Sequence, residues 1–160
     1  MLKISKADYD LIRWEAKRSY PHECCGILLG NVVEGHRQVT LMLTCENMRV
    51  DSPADRYSIN PEQVIAALKL ARSRGESIIG FYHSHPDHPA QWSTTDFAEA
   101  HWLGCSYVIT SIEQGKAATT NSFLLRGTGE DDKEFEDEPI QIDIPANVAA
   151  TAAHNQKGSA

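Results

Sequence analysis

A three-layer α/β domain built on a mixed β-sheet is the fold class this sequence predicts, on three observations. Helix-period segments alternate along the chain with short apolar runs of strand length, the pattern of helices packed on the faces of a sheet. The chain has 160 residues, the size of one ordinary domain with room for a core. Its 41% hydrophobic and 23% charged residues are those of a globular protein, and no internal repeat divides it.

Each element has a local reason. Ser5-Lys6-Ala7-Asp8 has the form of a capping box, and Tyr9, Ile12 and Ala16 share one helical face. A first helix is therefore expected to run to Ser19 and to stop before Pro21. Cys24 to Gly30 is short, apolar and bracketed by turn formers, which predicts a strand buried on both faces. Val39, Leu41 and Leu43 alternate along the chain and mark a second strand. Glu46 to Tyr57 is polar and carries Pro53, so it reads as a loop, a lip that ends in a brief strand at Tyr57–Ile59. Asn60, Pro61 and Gln63 supply an N-cap, a proline at the first helical position and a capping partner. The helix they start is expected to turn Val64, Ile65, Leu68 and Ala71 inward and to end at Gly75. Ser77 to His83 reads as a central strand, and Ser93 opens a helix expected to reach about Leu103. Two strands, Ser106–Ile112 and Ala118–Arg126, flank a Gln114-Gly115 turn, and Pro139–Ile144 adds an edge strand. Residues 1–145 are thus expected to form one domain, and residues 146–160, small and polar, a flexible C-terminal tail.

Charge and cysteine usage exclude several functions. The net charge is −7, and residues 130–138, EDDKEFEDE, hold seven acids and one lysine, so nearly all of the imbalance sits in one run. No basic face is concentrated anywhere, which argues against nucleic acid as a partner. The run itself reads as a solvated loop or edge, with docking of a basic partner as the alternative. No segment is long and apolar enough to span a bilayer, and the first residues lack the apolar stretch of a secretory signal, so a cytoplasmic protein is expected. The four cysteines, Cys24, Cys25, Cys45 and Cys105, form no CxxC pair and suit reduced, packed thiols.

The chemistry concentrates in residues 83–96, HSHPDHPAQWSTTD. In an extended chain residues two apart point the same way, so His83 and His85 can present both imidazoles to one metal ion. Asp96 follows after ten residues, enough for a loop to return a carboxylate from a helix N-terminus to the same point. Two histidines and a carboxylate leave one of zinc's four positions for water, the pattern of a catalytic site. Taken singly the parts are bland: an HxH pair is often accidental, and Ser93-x-x-Asp96 is a good capping box in its own right. HSHPDH also matches the HxHxDH signature of metallo-β-lactamases. That site needs further ligands well downstream, and only His101 and His154 follow.

HxH, ten residues, then Asp with Ser three before it, resembles the JAMM (MPN+) metallopeptidase signature. Pro21-His22-Glu23-Cys24-Cys25-Gly26-Ile27-Leu28-Leu29-Gly30 is similar to the family's P-x-E-x-x-G-x-L-x-G opening, in the glycine pattern of bacterial members. The likeness runs from about Lys3 to Ile144. It implies the cytidine-deaminase-like JAMM/MPN architecture and one Zn²⁺ per chain, bound by His83, His85 and Asp96. It further implies Glu23 as general base toward the attacking water and Ser93 as donor to the oxyanion. The implied substrates carry a ubiquitin-like C-terminal Gly-Gly tail, in bacteria that of a ThiS/MoaD-type sulfur carrier protein, and a homodimer is compatible with the resemblance. A general deubiquitinase-like or phage-tail-type peptidase and a non-catalytic MPN scaffold are the alternatives. Many bacterial relatives have proline before the motif serine where this chain has Trp92, whose indole would wall the cleft or simply pack. His88, in the same loop, is a second candidate substrate contact, with plain solvent exposure as its alternative.

Overall fold

A computed structural model describes residues 1–49 and 57–144 of the chain. In order it contains β1 (Leu2–Ser5), α1 (Lys6–Ser19), β2 (Cys25–Val33), β3 (His36–Cys45), α2 (Pro61–Ser73) and β4 (Ser77–Pro86). There follow α3 (Thr94–Glu99), β5 (Ser106–Glu113), β6 (Lys116–Arg126), β7 (Glu134–Glu138) and β8 (Ile140–Asp143). The strands form one mixed sheet in the order β7-β6-β5-β4-β2-β3-β1-β8. β4 runs parallel to β5 and antiparallel to β2, which places the C-terminal end of β4 beside the start of β2. β7 and β8 stand at opposite ends of this order, yet Pro139 alone separates them. The sheet must therefore curl until its edges approach, and the Leu2 N–H donates to the Pro139 carbonyl at 2.9 Å on that seam.

The layers follow from period-2 alternation. Leu28, Tyr82 and Val108 face α1, where Ile12 and Ala16 complete one core cluster. Ile27, Leu29, Phe81 and Tyr107 face the other way and pack with Ala67 and Ala71 of α2. Ser5 caps α1 by accepting from the Asp8 N–H at 3.0 Å, and Asn60 caps α2 by accepting from the Glu62 N–H at 2.9 Å. Each such cap contributes about 1 kcal/mol. Gly26 is required by close approach: a Cβ there would lie 2.2 Å from the Tyr82 ring and 2.3 Å from the Leu43 carbonyl oxygen.

Several expectations change. The strand β1 was not expected, because its four residues merge into the capping signal of α1. Val39 does not share a face with Leu41 and Leu43: the register shifts at Leu29/Gly30, Thr40 has no partner in the β2 ladder, and Val39 turns to the α1 side. On α2, Ile65 and Leu68 point outward at 52% and 43% exposure, and Ala67 joins Ala71 as the buried stripe. The third helix stops at Glu99 rather than near Leu103, since Ala100 turns extended and is itself buried. Tyr57–Ile59 contributes a single bridge, Asn47 to Ile59, rather than a strand. The acidic run supplies the edge strand β7, and its last residue, Glu138, is not solvated: it is buried against Arg37 Nη1 at 3.1 Å and Ser122 Oγ at 2.8 Å. Pro53 and the expected tail, residues 146–160, lie outside the described residues.

Candidate metal centre

His83 and His85 sit on one side of β4, two residues apart, at its C-terminal end. Both are buried, with side chains 1% and 9% exposed. Ser84, between them, points to the opposite side, and its Oγ accepts the Cys24 N–H at 2.9 Å while its own N–H donates to the Cys24 carbonyl at 3.2 Å. That pair of bonds extends the β2–β4 ladder by one step past the Cys25–His83 partners. It therefore sets Glu23, the next residue, at the level of His85. Glu23 is 5% exposed, and it lines a cleft of about 450 Å³ with His85, His88, Trp92 and Ser93.

Asp96 is delivered by the start of α3. The Ser93 side chain accepts the Asp96 N–H at 3.1 Å, and the Ser93 N–H and Oγ–H both donate to Asp96 Oδ2 at 2.7 Å. This capping box fixes the carboxylate and aims it at the histidines. Asp96 Oδ1 lies 3.2 Å from His83 Nε2, and Oδ2 lies 3.3 Å from His85 Nε2. The two Nε2 atoms are 3.0 Å apart. Among the described residues these three are the group of His, Cys, Asp or Glu side chains close enough to share an ion.

The donors fit a divalent cation on a tautomer argument. His85 Nδ1 lies 2.8 Å from the Pro89 carbonyl, an acceptor, so Nδ1 carries the proton and a neutral ring leaves a lone pair on Nε2. That lone pair meets a carboxylate oxygen and a second imidazole nitrogen, a repulsive cluster that protons or a cation must relieve. Burial pushes the His83 pKa down, outweighing the Asp96 carboxylate that raises it, so this imidazole favours the neutral form that binds metals. Burial alone would raise the Asp96 pKa, but the His83 and His85 rings beside it and the Ser93 N–H hold it well below the usual carboxylate range. A neutral-imidazole, ionised-carboxylate set suits Zn²⁺.

The remaining expected residues divide. Trp92 is in the cleft and also packs at a tilt against Phe97 and Phe135, ring centroids 5.6 Å from each, so it lines and packs at once. The exposed His88 also lines the cleft, and its carbonyl accepts the Ser111 hydroxyl at 2.8 Å. Asp87, the acid of HxHxDH, is bound to the Tyr20 hydroxyl and the Gln114 N–H, away from the cluster. His101 is exposed and pairs with Glu130. Cys24 and Cys105 are buried free thiols whose pKa burial pushes up to about 11, which marks them as packing groups.

Three neighbours of the site escaped sequence reading, because each comes from a distant segment. Tyr57 stacks on the His83 ring at 4.4 Å with an interplanar angle of 23°. Asn47 Nδ2 donates to the Glu23 carbonyl at 3.3 Å, and Asn47 Oδ1 accepts from the Arg49 and Ser58 N–H groups. Arg49 in turn reaches Glu99 of α3 at 2.8 Å. Asn47 and Tyr57 thus tie the two ends of the 46–59 segment to Glu23 and to His83. No local periodicity signals any of this.

The chain is similar to several known proteins. The chain is 36% identical over 91 residues to a desampylase of Haloferax volcanii, covering 57% of this chain and 63% of that one. It is 37% identical over 83 residues to a probable TtuB-protein conjugate cleaving protease of Thermus thermophilus, covering 52% and 55%. The chain thus spans somewhat over half the length of these curated relatives. A protein of Desulfitobacterium hafniense solved in solution superposes with a TM-score of 0.76 at 29% identity, over 90% of this chain and 94% of that one. A JAB1/MPN domain protein of Archaeoglobus fulgidus shares the fold with a TM-score of 0.53 at 15% identity, over 89% and 97%. The family model for prokaryotic homologs of the JAB domain matches residues 5–125, a span that holds Glu23, His83, His85, Ser93 and Asp96, and the chain belongs to that family.

Proposed function

We propose that the chain is a zinc-dependent metallopeptidase that hydrolyses peptide or isopeptide bonds after the C-terminal Gly-Gly of a ubiquitin-like, ThiS/MoaD-type sulfur carrier. The observation that carries this reading is the convergence of His83, His85 and Asp96 on one point beside the cleft lined by Glu23. Relatives named as a desampylase and as a conjugate cleaving protease support it.

Zn²⁺ held by these three residues would lower the pKa of water toward about 7 and polarise the scissile carbonyl. Glu23 takes the proton of the attacking water and returns it to the leaving amine, work for which a buried carboxylate facing a cleft is suited. Ser93 is assigned the oxyanion contact: its capping role fixes the hydroxyl oxygen, and its proton turns from Asp96 toward the developing charge. Trp92 and His88 flank the substrate in the same cleft. The extended tail enters by strand addition beside the 46–59 segment, at whose base Asn47 and Ile59 already pair. A homodimer and a cytoplasmic location belong to the same reading.

The test is cleavage of ubiquitin-like proteins whose Gly-Gly tails are extended by a peptide or joined to lysine. The zinc-loaded wild type should cut after Gly-Gly, and Glu23→Gln should keep its zinc and lose cleavage. Activity retained in that variant would remove Glu23 from the mechanism. Failure of the zinc-loaded wild type on every such tail would remove the substrate class.

A further inference from the structure

We infer that Lys133, the one basic residue in the acidic run, is a positioning residue for Asp96: it clamps the far end of α3 and so sets how tightly the centre holds its metal. The inference rests on the metal centre proposed above.

The helix that carries Asp96 has six residues, none of them buried, and a helix of that length has little stability of its own. Its first turn is closed by the Ser93–Asp96 capping box and the Ala100 N–H bonds the Phe97 carbonyl, but the carbonyls of Ala98 and of the C-cap residue Ala100 need partners from elsewhere, and no basic residue lies in the last turn. Lys133 supplies them from the segment before β7. Its Nζ donates to the Ala100 carbonyl at 2.9 Å and to the Ala98 carbonyl at 3.4 Å, and it stands 5.1 Å from the centroid of the Phe97 ring. The ammonium is held in turn by Glu130 at 2.7 Å, and Glu130 also binds His101 Nδ1 at 2.8 Å, just beyond the helix.

The Lys133 side chain is 6% exposed, although it lies in a segment whose neighbours are solvated. Burying an ammonium is costly unless its hydrogen bonds are met, so these contacts define where α3 ends. Ala98 is two residues from Asp96, less than one helical turn, and a displacement at the clamp is passed to the carboxylate with little attenuation. Metal affinity depends on ligand placement to within tenths of an ångström, whereas the cores of the two faces do not involve Lys133. The clamp should therefore be visible in zinc affinity more than in global stability.

Zinc dissociation constants are measured by chelator competition for the wild type and for Lys133→Met, Lys133→Arg and Glu130→Gln, beside thermal unfolding of each metal-free chain. Lys133→Met should bind zinc about tenfold more weakly, the low end of what changes behind metal ligands cost. Its metal-free melting temperature should stay close to that of the wild type, and Lys133→Arg, which keeps a cationic donor, should recover most of the affinity. Should Lys133→Met fail to fold, Glu130→Gln carries the test, with zinc binding expected to weaken about threefold at unchanged stability. Wild-type affinity in Lys133→Met, or in Glu130→Gln where that carries the test, overturns the clamp and leaves the centre standing. A loss of affinity that merely follows a fall in metal-free stability does the same. A wild type that takes up no zinc removes the centre, and the clamp with it.

Discussion

β4 and α2 are consecutive along the chain and packed together, yet they distribute polarity in opposite ways. β4 buries two histidines and a serine, whereas α2 leaves Ile65 and Leu68 half in water. On β4 several of these polar groups have partners: Ser84 the Cys24 backbone and His85 Nδ1 the Pro89 carbonyl, while both imidazoles face the Asp96 carboxylate and His83 Nδ1 is buried without a partner among the described residues. On α2 the sheet accepts a narrow stripe of two alanines one turn apart, whose small size lets the helix approach closely and leaves the bulkier flanks outside. Burial therefore follows the geometry each face offers rather than residue polarity alone, and the polar groups buried at the end of β4 coincide with the candidate metal centre.

Substitutions in the two elements should differ accordingly. The largest effect is expected for His83→Ala or Asp96→Ala, which should abolish zinc uptake and cleavage together while the circular dichroism of the fold persists; stoichiometric zinc in either variant would break the comparison. Ser84→Ala comes next. It strips the acceptor from the Cys24 N–H and should cost about 1–3 kcal/mol in denaturant unfolding. It should also lower kcat with zinc retained, because it loosens the strand end that presents Glu23. Ala67→Leu on the buried stripe of α2 should destabilise by about 1–3 kcal/mol through overpacking, with kcat little changed. Smallest of all, Ile65→Lys should stay within about 0.5 kcal/mol of the wild type, since the side chain is already in water. A cost of several kcal/mol there would mean that the outer face of α2 is covered in the native protein.

What the sequence revealed was local. The three candidate ligands and their capping serine lie within fourteen residues, and both the HxH spacing and the capping box are rules of short range. The Gln114-Gly115 turn, with both residues at positive φ, was legible for the same reason. Long-range pairing was not legible. Tyr57 on His83, Asn47 on the Glu23 carbonyl and Lys133 on α3 join segments 24 to 35 residues apart, and no periodicity encodes them. Ile65 and Leu68 misled because helical apolarity reports a capacity for burial, while the width of the receiving groove decides how much of it is used. The strand β1 escaped because four residues are too few for alternation to outweigh the helix signal that follows them.

The central claim is that two imidazoles and one carboxylate gather a single ion with no thiolate involved. Zinc K-edge X-ray absorption on the loaded protein measures this directly. The account predicts one zinc per chain, a shell of light nitrogen and oxygen scatterers at about 2.0–2.2 Å with the multiple scattering of two imidazoles, and no sulfur at about 2.3 Å. A sulfur scatterer, which would bring one of the four cysteines to the ion, or a single imidazole would contradict it.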